Sequence, residues 1–244
     1  MKKEAWKAQF LSGFLAALDL LFPPVCGGCG RPGARWCADC QGKVQPVRLP
    51  VCDICGLPLT QGGLCQRCLQ ARPVYKVLRS WAVFEDPVRA ALHRMKYRRD
   101  VGLGEALAAQ MAPFVSSLQW PFEAIVPLPL GRKRLKERGY NQVAMLALPL
   151  ARFLNVDYFP EALIRVRDTR SQVGLTASER QENVRNAFSA SSKARGRVLL
   201  LIDDVSTTGA TLSSAAEALY AGGAVDVYAV TVARALPHHS LSIV

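Results

Sequence analysis

From residue 123 onward the apolar positions gather into three nearly unbroken runs: EAIVPLPL (123–130), RVLLLIDDV (197–205) and VDVYAVTVAR (225–234). Runs without polar alternation mark parallel strands buried on both faces. Between the last two, GATLSSAAEALYAGG predicts a helix stopped by glycine. Strand, helix, strand in that order implies a right-handed crossover and an α/β domain with helices on both faces of a parallel sheet. YNQVAMLALPLARFL, after the first run, predicts a further helix that Pro149 should kink or split.

The N-terminus has a different period. Phe10, Phe14, Leu15, Leu18, Leu21 and Phe22 recur at helical spacing, which predicts an amphipathic docking helix over residues 1–25. A basic start ahead of apolar residues invites comparison with a secretory signal, but Asp19 interrupts the run, Pro23 and Pro24 follow it, and no small-residue cleavage site appears. No other stretch approaches the roughly 18 apolar residues of a membrane span. A cytoplasmic location without a membrane span is the expectation.

Composition adds a second unit. The chain has 244 residues, 50% of them apolar, enough for a full α/β core and a small module besides. All eight cysteines lie in four C-x-x-C pairs: Cys26/Cys29, Cys37/Cys40, Cys52/Cys55 and Cys65/Cys68. Two such pairs close the tetrahedral sulfur shell that structural zinc prefers, so two Zn²⁺ ions are expected. Sulfur spacing alone does not separate zinc from a rubredoxin-like iron site. A reducing compartment disfavours disulfides, and a redox pair would not call for four copies. Sequential pairing closes the shortest loops, with crossed pairing as the alternative. The expected layout is the helix over 1–25, a double zinc ribbon over 26–72 and the α/β domain over 75–244.

Lys and Arg number 31 against 19 Asp and Glu, a net charge of +12. Eight thiolates and two divalent ions would lower the surplus without removing it. An anionic partner is therefore favoured. Basic residues cluster in RAALHRMKYRR (89–99), RKRLKER (132–138) and RVRDTR (165–170), three clusters in one domain.

The most specific chemistry lies in LLLIDDVSTTGATL (199–212). Ligands in such sheets sit beyond the carboxyl ends of the strands. There Asp203 and Asp204 can accept hydrogen bonds from sugar hydroxyls or hold a hydrated Mg²⁺. Thr207, Thr208, Gly209, Ala210 and Thr211 then turn into a helix start, whose free N–H groups and hydroxyls suit a phosphate. A sugar phosphorylated at one end fits both halves. Helix capping alone needs only one acid.

VLLLIDDVSTTGATL resembles the phosphoribosyl pyrophosphate (PRPP) signature of type I phosphoribosyltransferases. VPLPLGRKRLKERGYNQ (126–142), RVRDTRSQVGLTASERQENVRNAF (165–188) and the cysteine-rich module narrow the resemblance to the ComF family. These are double-zinc-ribbon, phosphoribosyltransferase-like proteins associated with DNA uptake in natural competence. The resemblance implies that Asp203 and Asp204 meet the ribose hydroxyls and that Thr207 to Thr211 cradle the 5′-phosphate, with Ser206 at a tolerant position. It places Arg132, Arg134 and Arg138 on the pyrophosphate side, where leaving-group charge needs cations. Arg167, Thr169, Arg170, Gln172, Arg180 and Asn183 would form a second wall of the pocket or a nucleic-acid surface. Thr176 and Glu179 are spaced as a capping box.

Two functions follow. One is a PRPP- and Mg²⁺-binding competence protein that also holds single-stranded DNA or a helicase partner. The other is an active transferase of ribose 5-phosphate to an unidentified acceptor. Tyr97 and Tyr140 stand beside basic residues, as base-stacking aromatics do, yet both read as core. With every cysteine in a paired motif, no glutaminase nucleophile is left, which argues against amidophosphoribosyl transfer.

Overall fold

A computed structural model describes residues 24–98, 100–168, 179, 183, 184 and 186–236. Residues 1–23 of the predicted N-terminal helix lie outside these residues, as do Thr169, Arg170, Gln172, Thr176 and Arg180; its last two residues are not helical, and Val25 forms a bridge with Pro32.

Five strands form one parallel sheet in the order β1 (Leu78–Val83), β7 (Asp226–Arg234), β6 (Val198–Ser206), β2 (Ala124–Pro127), β3 (Asp157–Tyr158). The three apolar runs are its three central strands. Alternate residues of β6 face opposite cores, as strand geometry requires. Leu200 and Ile202 pack with α3 (Val88–Tyr97), α4 (Val101–Ser117) and α6 (Gln142–Leu154). Leu199 and Leu201 pack with α7 (Ala210–Ala221). The expected α/β class, a parallel sheet covered on both faces and preceded by cysteine-rich modules, is present.

The connections locate a crevice. After β2 the chain runs through α5 (Arg132–Arg138) and α6 to β3 on one side; after β6 it runs through α7 to β7 on the other. Because β2 and β6 are adjacent, the winding reverses between them. That reversal parts the loops above the strand ends and opens a ligand crevice.

The sheet carries both cysteine modules, one per face. Cys26, Trp36 and Cys40, with α1 (Ala38–Gly42), join the α3/α4/α6 core. Cys52, Ile54, Cys55, Cys65 and Cys68, with α2 (Gln66–Gln70), join the α7 core. The segment between them covers part of the outer edge of β1: Pro46 bridges Ala82, and Val83 N–H donates to Gln45 O at 2.8 Å. An edge strand so covered is no template for another chain.

Pro149 does not split α6, which continues through it to Leu154. Val143, Leu146 and Ala147 are buried before it, Leu150 and Ala151 after it. That continuous apolar stripe outweighs a local penalty of about 3 kcal/mol. A small antiparallel pair, β4 (Leu163–Arg165) and β5 (Phe188–Ala190), stands beside the sheet. Glu179, Asn183 and Val184 between them are helical. No described helix is long and apolar enough to cross a membrane.

Candidate functional site

At the mouth of the crevice β6 carries Asp203 and Asp204, both half-buried, the second of them two residues before the strand ends at Ser206. Lys96 Nζ, from α3, lies 2.8 Å from Asp204 Oδ2, and Gln142 Nε2, from the start of α6, donates to the same oxygen at 3.3 Å. Arg138 donates to Gln142 Oε1 at 2.9 Å, so α5 is tied into the same network. Burial opposes the charge on Asp204, but Lys96 and the hydrogen bonds from Lys96 and Gln142 outweigh it and hold the carboxyl below its usual range. Asp203 accepts the N–H of Asp204, at 2.8 Å. Burial and the neighbouring carboxylate push it well above the usual range. Lys96 favours the charge on both acids and Arg165 lies near Asp203, but at Asp203 these do not offset burial and the adjacent carboxylate, so further positive charge or donors are needed there for both acids to be ionised. A divalent ion or donating hydroxyls at Asp203 would meet that need, so the pair fits Mg²⁺.

Behind the acids the chain turns into α7. Gly209 caps the helix at φ 76°, in the left-handed region that favours glycine. A Cβ here would also lie 2.6 Å from the Tyr75 hydroxyl. Thr208 Oγ1 accepts from Ala210 N at 3.2 Å, and the Thr208 carbonyl accepts from Arg67 at 3.2 Å. Ser206 is buried, and its Oγ accepts from Arg234 at 3.2 Å.

The predicted cations divide. Arg138 reaches the acid network, as above. Arg134 is half-buried and lies close enough to Arg165 to act, after burial, in lowering the pKa of that guanidinium, while Asp203 pulls the other way. Arg132 is exposed at the start of α5. Arg167 is exposed and donates to Asn183 O at 3.1 Å, which places both on the β4/β5 side. Thr169, Arg170, Gln172 and Arg180 fall outside the described residues.

Tyr140 is part-buried, and its hydroxyl donates to Met95 O. Tyr97 is not a core residue: it is 58% exposed at the end of α3. His93 lies 4.6 Å from its ring and Arg138 5.5 Å.

The cysteines form two clusters, Cys26/Cys29/Cys37/Cys40 and Cys52/Cys55/Cys65/Cys68, in sequential pairing. None of the eight is in a disulfide. Sulfur separations of 3.6 Å (Cys26–Cys40), 3.7 Å (Cys29–Cys37) and 3.6 Å (Cys55–Cys65) approach the edge of about 3.8 Å that a tetrahedron with Zn–S of about 2.3 Å requires. Backbone N–H groups of Cys37 and Cys65 point at Cys26 Sγ and Cys52 Sγ, both at 3.4 Å. Burial opposes thiolate formation at Cys26 and Cys52, yet backbone donors draw both down to about 6. Burial and neighbouring sulfurs push Cys40 and Cys68 up. Four sulfurs so close cannot all be thiolates without a cation among them. Both clusters fit a structural zinc ion.

The double zinc ribbon domain family matches residues 17–69. DNA utilization protein YhgH of Escherichia coli K12 is 34% identical over 228 residues, covering 89% of this chain and 100% of that protein. Competence protein F of Haemophilus influenzae is 31% identical over 209 residues, covering 82% of this chain and 90% of that protein. The chain belongs to the ComF family. A crystal structure of orotate phosphoribosyltransferase from Mycobacterium tuberculosis overlaps 59% of this ComF chain and 66% of its own at 18% identity, with a TM-score of 0.33. That overlap is too loose to bear on the site.

Sequence reasoning passed over Lys96, Gln142, Arg67, Tyr75 and Arg234 in this ComF protein. Lys96 lay in a basic cluster and Gln142 at the end of ERGYNQ, but neither pattern names Asp204 as partner. Arg234 carried a clearer signal: a charge closing a nine-residue buried strand must find a partner.

Proposed function

We propose that this ComF-family protein acts in DNA uptake in the cytoplasm, binding PRPP with Mg²⁺ in the crevice between β2 and β6 and single-stranded DNA on the adjoining basic surface. One observation carries the reading: two adjacent carboxyl groups, one pushed up and one held down from the usual range, stand near the end of β6 at the winding reversal, just ahead of a helix-start turn and beside Arg134 and Arg138. The ribose hydroxyls would donate to Asp203 and Asp204, and the 5′-phosphate would take the turn from Thr207 to Thr211. Mg²⁺ would neutralise the pyrophosphate, with the arginines of α5 on its far side. The names of the relatives, with competence and DNA utilization in them, support the cellular role.

Tyr97 is the natural contact for DNA. Its exposed ring, with a guanidinium beside it and exposed Arg98 next in sequence, has the makings of a base-stacking platform. Calorimetry of the zinc-loaded protein with PRPP and Mg²⁺ tests the first half: Asp204→Asn should abolish binding with both zinc ions retained, and retained binding would move the site elsewhere. Tyr97→Ala should weaken single-strand binding by about 1–3 kcal/mol, and affinity should fall steeply with salt. A flat salt response would remove DNA from the reading. Pyrophosphate assayed in the same cell separates binding from transfer.

A further inference from the structure

Arg234 closes β7 and is 1% exposed, one of the largest fully buried side chains among the described residues. Its guanidinium donates to Cys55 O at 3.0 Å and to Ser206 Oγ at 3.2 Å, and lies 3.9 Å from Cys55 Sγ. Among the described residues no carboxylate pairs with it. A buried cation needs a counter-charge, and the thiolates of the second cysteine cluster are the anions at hand. The same guanidinium holds the residue where β6 becomes the phosphate turn.

Two more groups from that side of the molecule press on the turn. Arg67, inside the Cys65–Cys68 knuckle, donates to Thr208 O at 3.2 Å. The buried Tyr75 hydroxyl, without a hydrogen-bond partner, lies against Gly209. Position 208 is thus met by the second module itself, and 206 and 209 by Arg234 of β7 and by Tyr75, both of which pack against that module. The first module's contacts run elsewhere: Arg94 of α3 donates to Cys26 O at 3.0 Å, and Arg35 pairs with Asp100 at 2.9 Å.

We infer that Arg234 is a positioning residue through which the second four-cysteine centre, and not the first, sets the shape of the phosphate turn. The inference rests on the reading of 206–211 as the phosphate site. Emptying the second centre removes the counter-charge of Arg234 and loosens Ser206; Arg67 follows its knuckle, and the turn opens. PRPP affinity therefore depends on zinc at a site that never touches PRPP.

The test compares wild type with Arg234→Lys, Arg234→Met and Arg67→Met. Zinc per chain, amide hydrogen exchange at 206–211 and PRPP affinity are measured on each. Arg67→Met should keep two zinc ions and fold normally, with exchange in the turn about tenfold faster and exchange in β2 unchanged. Arg234→Lys, which keeps the charge but not the fork, should show the same selective loosening; Arg234→Met should in addition lose the second zinc. Unchanged exchange in the turn for Arg67→Met and Arg234→Lys would overturn the inference, as would loosening spread evenly over the sheet. If wild type fails to bind PRPP, the ligand reading falls while the exchange data still decide the coupling.

Discussion

The two cysteine modules share a motif and almost nothing else. In the first, Cys29 is exposed and Cys37 half-buried; in the second, all four cysteines are buried. They sit on opposite faces of one sheet and hold different parts of the crevice. The first braces α3, whose Lys96 ionises Asp204. The second braces the turn through Arg67 and Arg234. Ligand chemistry is equal in the two; what differs is the neighbour against which each sulfur packs. A C-x-x-C pattern therefore predicts the ion but not how much of the fold leans on it.

The harshest trial of that contrast is Cys55→Ser against Cys29→Ser. Structural zinc supplies on the order of 10–16 kcal/mol to small domains at neutral pH, comparable with the whole stability of a domain, about 5–15 kcal/mol. At the buried site no water can take the lost position, and Arg234 is left without its counter-charge, so Cys55→Ser should fail to fold. Cys29→Ser opens a position to solvent and should leave a folded sheet with the second zinc at full occupancy. Thermal denaturation and zinc stoichiometry decide it; equal losses would erase the distinction.

The asymmetry of the modules was hidden in the sequence for a physical reason. The three central strands, α7 and both sulfur clusters were legible because each is a local pattern: an unbroken apolar run, a helical period, a repeated short spacing. The place of Asp203 and Asp204 near the carboxyl end of a central strand was legible because both follow directly on an apolar run. Lys96 to Asp204 and Arg234 to Cys55 join residues 108 and 179 positions apart, and nothing local records such pairings. Tyr97 misled because an aromatic in a helical run of apolar residues fits a core as well as a surface. The split expected at Pro149 does not occur because tertiary burial exceeds the local penalty on which that expectation rested.

A gentler probe leaves the sequence intact. With a competing chelator the first zinc should leave at least about tenfold faster than the second, because its release needs only local opening near exposed Cys29. A thiol reagent should mark Cys29 before any cysteine of the second module. Loss of both ions at one rate would mean that the modules open together, as a single cooperative unit.

The smallest effects lie at the acids and carry opposite signs. Asp204→Asn strands a largely buried Lys96 and should cost about 1–2 kcal/mol at neutral pH. Asp203→Asn keeps the acceptor for Asp204 N–H while removing a buried like charge, and should gain about 1 kcal/mol. The pH dependences differ accordingly. The folded state binds a proton on Asp203 more tightly than the unfolded chain does, so wild type loses stability as pH rises from 3.8, the ordinary Asp value, towards the raised one. The gain from Asp203→Asn should thus be absent below pH 3.8 and grow above it. Asp204 behaves in reverse: its contribution is present above 3.8 and is lost as pH falls through its lowered value. Thermal midpoints across that range measure both, and a stabilised Asp203→Asn that no longer binds PRPP would identify Asp203 as a charge kept for a ligand at the expense of the fold.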